Sequence, residues 1–145
     1  MTNAKEFLRR YERASHRAER LKLEYEAEKA AIDTVRSTLG GDGMPHGTGV
    51  SRKVENDAIR LADKAMAWKM AELDAIEERQ EVFALIYDIP GVEGDVLIER
   101  YLNLHRWEDI CVLLHYSWHG IHAAHRRALK IVDERLNIRA LNGTQ

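Results

Sequence analysis

The chain has 145 residues, of which 45% are hydrophobic, 32% charged and 7% aromatic, with a formal net charge of −2. That length fits about one domain by the usual prior of roughly 100–200 residues, and the near-balanced charge argues against wholesale, sequence-blind binding of nucleic acid. The single cysteine, Cys111, excludes an intrachain disulfide and a cysteine-rich zinc site.

No apolar run approaches the ~20 residues of a membrane span, and the opening MTNAKEFLRRYER lacks the apolar core of a signal peptide. A soluble, cytoplasmic protein is the expectation. Only two prolines interrupt a chain rich in Ala, Glu, Leu, Lys and Arg. These residues lose little rotamer freedom in a helix, so the predicted fold class is all-α.

From about residue 4 to 38 there is neither proline nor glycine. Phe7, Tyr11, Ala14, Ala18, Leu21, Tyr25, Glu28, Ile32, Val35 and Leu39 recur at alternating spacings of four and three. That is a coiled-coil-like seam, broken only at Glu28, on a helix ~50 Å long. Five glycines then fall within residues 40–49, and residues 40–51 read as a loop. A phosphate-binding loop would need a preceding strand and a Gly-Lys-Ser/Thr tripeptide opening a helix, and neither is present.

A second glycine-free stretch runs from about Arg52 to Tyr87. Its predicted seam is Ile59, Ala62, Met66, Leu73, Ile76, Phe83 and Tyr87, interrupted by Lys69 and Gln80. Two long helices joined by a flexible loop make an antiparallel hairpin over residues 1–88, closed within one chain or swapped between two. Residues 1–39 hold nine basic against seven acidic side chains, and residues 52–88 hold six against nine, so opposite signs favour the pairing. A lone hairpin leaves apolar residues wet. It should pack on the C-terminal helices or on a second copy, and a homo-oligomer, a dimer at its simplest, is expected.

Ile89-Pro90-Gly91 ends the hairpin, because proline lacks the N–H and disfavours helix at the residue before it. Residues 89–145 form the second predicted domain, a three-helix helix-turn-helix unit. Its first helix buries Val96, Leu97, Tyr101 and Leu102. The second opens at Trp107-Glu108-Asp109, where acids suit the positive helix end, and buries Ile110, Cys111, Leu113 and Leu114. On that apolar side Cys111 reads as a small hydrophobe rather than a redox centre.

A corner at His115-Tyr116-Ser117 leads into the third helix, 117–136, with Ser117 as its N-cap. Ile121, Ala124, Ala128, Leu129, Val132 and Leu136 face inward, leaving Trp118, His119, His122, Ala123, His125, Arg126 and Lys130 outside. Residues 117–139 carry five basic against two acidic side chains, and residues 89–116 two against five. A positive third helix suits docking against phosphates.

The stretch ERYLN…RWEDICVLLHYSWHGIHAAHRRALKIV resembles region 4 of sigma-70-type transcription factors over roughly the last third of the chain. Ile110-Cys111 matches the hydrophobic-plus-small pair of the first scanning helix, Ser117 the turn, Ile121 the inward position of the recognition helix and Ala128-Leu129 its closing pair. With the helical hairpin in front, the whole chain resembles the small phage regulators of the ArpU type. The resemblance implies a phage or prophage transcriptional regulator, with promoter DNA and RNA polymerase as partners.

Transferred by position, Trp118, His119, His122, Ala123 and Arg126 face bases or sugar-phosphate, while Arg127 and Lys130 sit near phosphates. Family members carry arginine and glutamine where this chain has Trp118, His122 and Ala123, so the donors that read guanine and adenine edges are missing. Two alternatives stay open: a small packaging (terminase small) subunit, and an adaptor that grips RNA polymerase or a sigma factor without touching DNA.

His119, His122 and His125 follow at intervals of three. Such spacing lets pairs share a metal but drifts across the helix face, and His-Glu-x-x-His is absent, so DNA-facing positions are preferred over a metal site. No nucleophile–base–orienter set is visible, and neither catalysis nor a cofactor is expected.

Overall fold

The two long helices form where proline is missing and glycine nearly so. The computed structural model describes residues 2–39 and 48–144, and all its regular structure is helical: α1 (Ala4–Leu39), α2 (Thr48–Ile86), α3 (Gly91–Leu97), a π-helical turn (Ile98–Leu102), α4 (Trp107–Leu114) and α5 (Trp118–Asn142). The fold is all-α, with two long helices packed on each other and shorter ones following. No helix is long and apolar enough to cross a membrane among the described residues. Of the predicted glycine-rich loop, residues 40–47 lie outside the described residues, and residues 48–51 form the first turn of α2.

The chain divides into two compact units, one of Met1–Ala14 with Ala75–Gln145 and one of Ser15–Asp74. This division differs from the sequence partition at residue 88, because both ends of the hairpin supply core residues to the C-terminal helices. Leu8 of α1, Val82 and Ile86 of α2, Leu97 of α3 and Val132 of α5 are fully buried together, with Phe7, Tyr101 and Leu102 around them. Each such side chain contributes about 1.5–3 kcal/mol. Polar contacts fix the same junction. The Ala4 N–H, unpaired at the start of its helix, donates to Asp133 Oδ1 at 2.7 Å. Arg10 Nε meets Glu78 at 2.8 Å, and Arg135 Nη1 donates to the Leu85 carbonyl at 2.8 Å.

In the second unit α1 and α2 run antiparallel. Tyr25 stacks on Trp68 with ring centroids 5.5 Å apart, and Glu28 receives Lys64 at 3.5 Å and Arg60 at 3.7 Å. The residue that breaks the α1 seam is thus answered by two cations of α2. Ala18, Ile32 and Ala71 are buried here, and the two alanines are small enough to let the helix axes approach closely.

The expected α2 seam is corrected. Ile59, Met66, Leu73, Ile76, Phe83 and Tyr87 are 46–64% exposed. The apolar positions of α2 that are buried or half-buried are instead Leu61, Ala65, Trp68, Ala71, Ala75, Val82, Leu85 and Ile86. A frame offset of two residues is a turn of about 200°, which selects nearly the opposite face. Val82, Leu85 and Ile86 set the rotation by burying themselves with α1, α3 and α5. On α1, Val35 is likewise exposed.

Candidate nucleic-acid interface

The C-terminal helices build their own small core beside the main one, from Val96 of α3, Ile110 of α4, and Ile121 and Ala124 of α5, all fully buried. Val92, Trp107, Cys111 and Leu114 pack around it. Cys111 is half-buried, as expected for a small apolar residue. The helix carrying Val96 to Leu102 changes pitch part-way, where Asn103 N–H reaches the Ile98 carbonyl at 2.9 Å across a five-residue interval.

The corner between α4 and α5 is three residues long. His115 caps α4 in the left-handed conformation (φ 58°), a place usually given to glycine. Ser117 N-caps α5, its hydroxyl accepting the Gly120 N–H at 3.0 Å. The corner thus joins two helices within three residues, and α3 packs against both of them. Ser117→Ala should lower stability by about 1 kcal/mol through removal of the cap. Urea unfolding measures it, and an unshifted midpoint would show that the cap contributes nothing.

The candidate residues fall into distinct environments. His119, Arg126 and Lys130 are exposed along one face of α5, and Ala123 is half-buried on it. Trp118 is 54% exposed and lies 4.5 Å, centroid to centroid, from His122. His122 is not an open base-facing side chain: the Trp107 ring also lies 4.6 Å from it, and its Nε2 is buried without a hydrogen-bond partner among the described residues. Arg127 is engaged as well, its Nε donating to Glu93 Oε1 at 2.8 Å, an ion pair that holds the Glu93 carboxyl below its usual range. Arg135 pairs with Asp88 and lowers the pKa of that carboxyl too. Two of the five cations on residues 117–139 are therefore answered within the chain.

His125, expected outside, is buried. Its Nε2 shares a 2.7 Å hydrogen bond with the Tyr101 hydroxyl. The Trp107 ring stands edge-on to it at 4.7 Å. Burial, the largest cause, together with the charges of Lys5, His122, Arg100 and Arg126, pushes its pKa down to about 4. Burial also raises Tyr101 to about 12. Among the described residues no three His, Cys, Asp or Glu side chains are grouped to hold a metal.

Two features escaped sequence reasoning. Trp107, counted only as a helix start, organises the cluster: it contacts both histidines, and Arg100 lies over its ring at 4.9 Å. Leu113, expected inside, is 51% exposed and joins Val112 at 74% and Tyr116 at 46%. The run Val112-Leu113-Leu114 carries the clue, since three consecutive residues cannot share one face of a helix.

Compared with family models, curated proteins and solved structures, the chain has no match.

Proposed function

We propose that the protein is a DNA-binding transcriptional regulator of the phage or prophage type, which lays the first turns of α5 into the major groove of double-stranded DNA. The observation that carries this reading is the capped α4–α5 corner with Trp118, His119, Arg126 and Lys130 exposed on the helix it aims. Arg126 and Lys130 have no acidic partner among the described residues, unlike Arg127 and Arg135. With Arg139, farther along the helix, they are the cations of α5 left for phosphate, and Trp118 supplies an apolar face for sugar or thymine methyl contact.

The test is fluorescence anisotropy with tiled genomic duplexes at several salt concentrations. One fragment should bind clearly tighter than the rest. In the Arg126→Ala/Lys130→Ala variant the slope of log affinity against log salt should flatten by about 0.9 for each phosphate that is no longer neutralised. An unchanged slope would remove this face as the docking surface.

A second reading has its own support. Val112, Leu113, Tyr116 and Trp118 form an exposed apolar run over α4 and the corner, as an adaptor for RNA polymerase or a sigma factor would need. Co-purification with polymerase, without any retarded DNA, favours this reading over the first.

A further inference from the structure

Helix α2 is apolar on two faces, and only one is covered by its own chain. The other carries Ile59, Met66, Leu73, Ile76, Phe83 and Tyr87, all substantially exposed. They keep the three–four alternation of a coiled-coil seam along a single helix. Tyr87 lies just beyond the last helical residue, but its N–H still bonds the Phe83 carbonyl at 2.9 Å, and the two rings stack at 5.4 Å. Solvent-exposed helix surface does not ordinarily hold an apolar seam of this length. Lys69 and Gln80 are its two interruptions.

We infer that this face is the contact between two copies of the chain, with the α2 helices antiparallel and a two-fold axis passing between Asp74 and Ala75. The pattern reads almost the same from either end. In this register Leu73 meets the partner's Ile76, Met66 the partner's Phe83, and small Ala62 the bulky ring of the partner's Tyr87. Lys69 falls opposite the partner's Gln80, so each polar interruption is matched by the other, twice by symmetry.

The flanking charges agree. Glu72 faces the partner's Arg79, and Lys69 comes beside the partner's Glu77. A slip of one heptad breaks the match: in one direction Lys69 meets Leu73 and Gln80 meets Ala62, and in the other Lys69 meets Tyr87 and Gln80 meets Ile76. A parallel pair is worse, stacking Lys69 on Lys69 and setting Glu72 beside Glu77. Charge and polarity therefore select the occupant, a second copy, and its orientation.

Sedimentation of the full chain across the micromolar range tests the association. It should run as a dimer, and Leu73→Asp should weaken dimerisation by about two orders of magnitude or more, because a carboxylate would be buried at the seam. Leu73 is exposed in the single chain, so the far-UV circular dichroism of this variant should be unchanged.

Orientation is tested by single cysteines in a Cys111→Ser background, treated with a short bis-maleimide. A cysteine at 73 lies roughly 4–5 Å along the axis from its counterpart and should cross-link, whereas one at 59 lies roughly 45 Å away and should not. A monomeric parent chain, a dimer indifferent to Leu73→Asp, or cross-linking at 59 as efficient as at 73 would each overturn the inference. These readouts do not involve DNA and are independent of the proposed function.

Discussion

Replacing Gly94 by alanine is expected to cost on the order of 3–5 kcal/mol and to lower the melting temperature by roughly 10 °C. A Cβ at this position would stand 1.8 Å from the Ile89 carbonyl oxygen and 2.8 Å from its carbon. The obstacle is backbone and cannot swing aside as a side chain would. The sequence explains the closeness. Pro90 stops α2 and Gly91, at φ 76°, turns the chain so sharply that α3 runs back over residue 89.

Moving either strand of this turn would shift Ile89, Val96 and Leu97, all buried, so relief in one place becomes strain in the core. Gly120→Ala is the matched control. There the new methyl would meet the Ser117 hydroxyl at 3.1 Å and the Tyr116 ring at 3.4 Å, contacts with side chains that can adjust, and alanine's better helix propensity offsets up to about 1 kcal/mol. Thermal unfolding followed by circular dichroism compares the two, and equal midpoints would refute the backbone argument.

The second large effect is acid sensitivity centred on His125. In the folded chain its ring stays neutral down to about pH 4, whereas in the unfolded chain it takes up a proton near the ordinary value of about 6.5. Above that ordinary value both states are neutral and the contribution to stability is complete. As pH falls from there toward about 4, the unfolded state binds a proton that the folded state refuses, and stability drops by up to about 3 kcal/mol.

The carboxyls of Asp88 and Glu93, held low by Arg135 and Arg127, lose their contribution only at lower pH, as they protonate. The two windows are therefore separable. Urea unfolding at about pH 7.5 and about pH 5 should show a fall in the parent chain that His125→Gln largely lacks, since glutamine does not titrate. A variant that tracks the parent between those values would acquit His125.

The parts of this architecture that the sequence discloses are those decided within one element. Long stretches free of glycine and proline mark α1 and α2, Pro90-Gly91 marks their end, and Ser117 marks the start of α5 by its own cap. What it hides is decided by partners remote in sequence. Both faces of α2 carry acceptable seams, and periodicity alone favours the one with larger side chains. The choice is made by Val82, Leu85 and Ile86, which must meet residues from α1, α3 and α5.

The histidines repeat the lesson. His119, His122 and His125 have the same spacing and composition, yet one is exposed, one touches two tryptophan rings and one is buried against Tyr101, 24 residues away. Nothing local distinguishes them. Of the proposed interface, the capped corner and the exposure of Arg126 and Lys130 were legible. The capture of Arg127 by Glu93, 34 residues distant, was not.

The bond from Ala4 to Asp133 spans 129 residues, and it bears on the order in which this molecule can assemble during synthesis. The first turns of α1 emerge from the ribosome long before α5 exists. At roughly 5–20 residues per second, Phe7 and Leu8 wait on the order of ten seconds for Ala128 and Val132. Until then the two apolar residues have no complete core to enter and are exposed to chaperones or to neighbouring nascent chains. A fragment beginning at residue 89 would carry the converse defect, leaving Leu97, Tyr101 and Val132 uncovered. The core that Ala128 and Val132 close is thus finished last, and only by a chain whose first helix has been kept available for it.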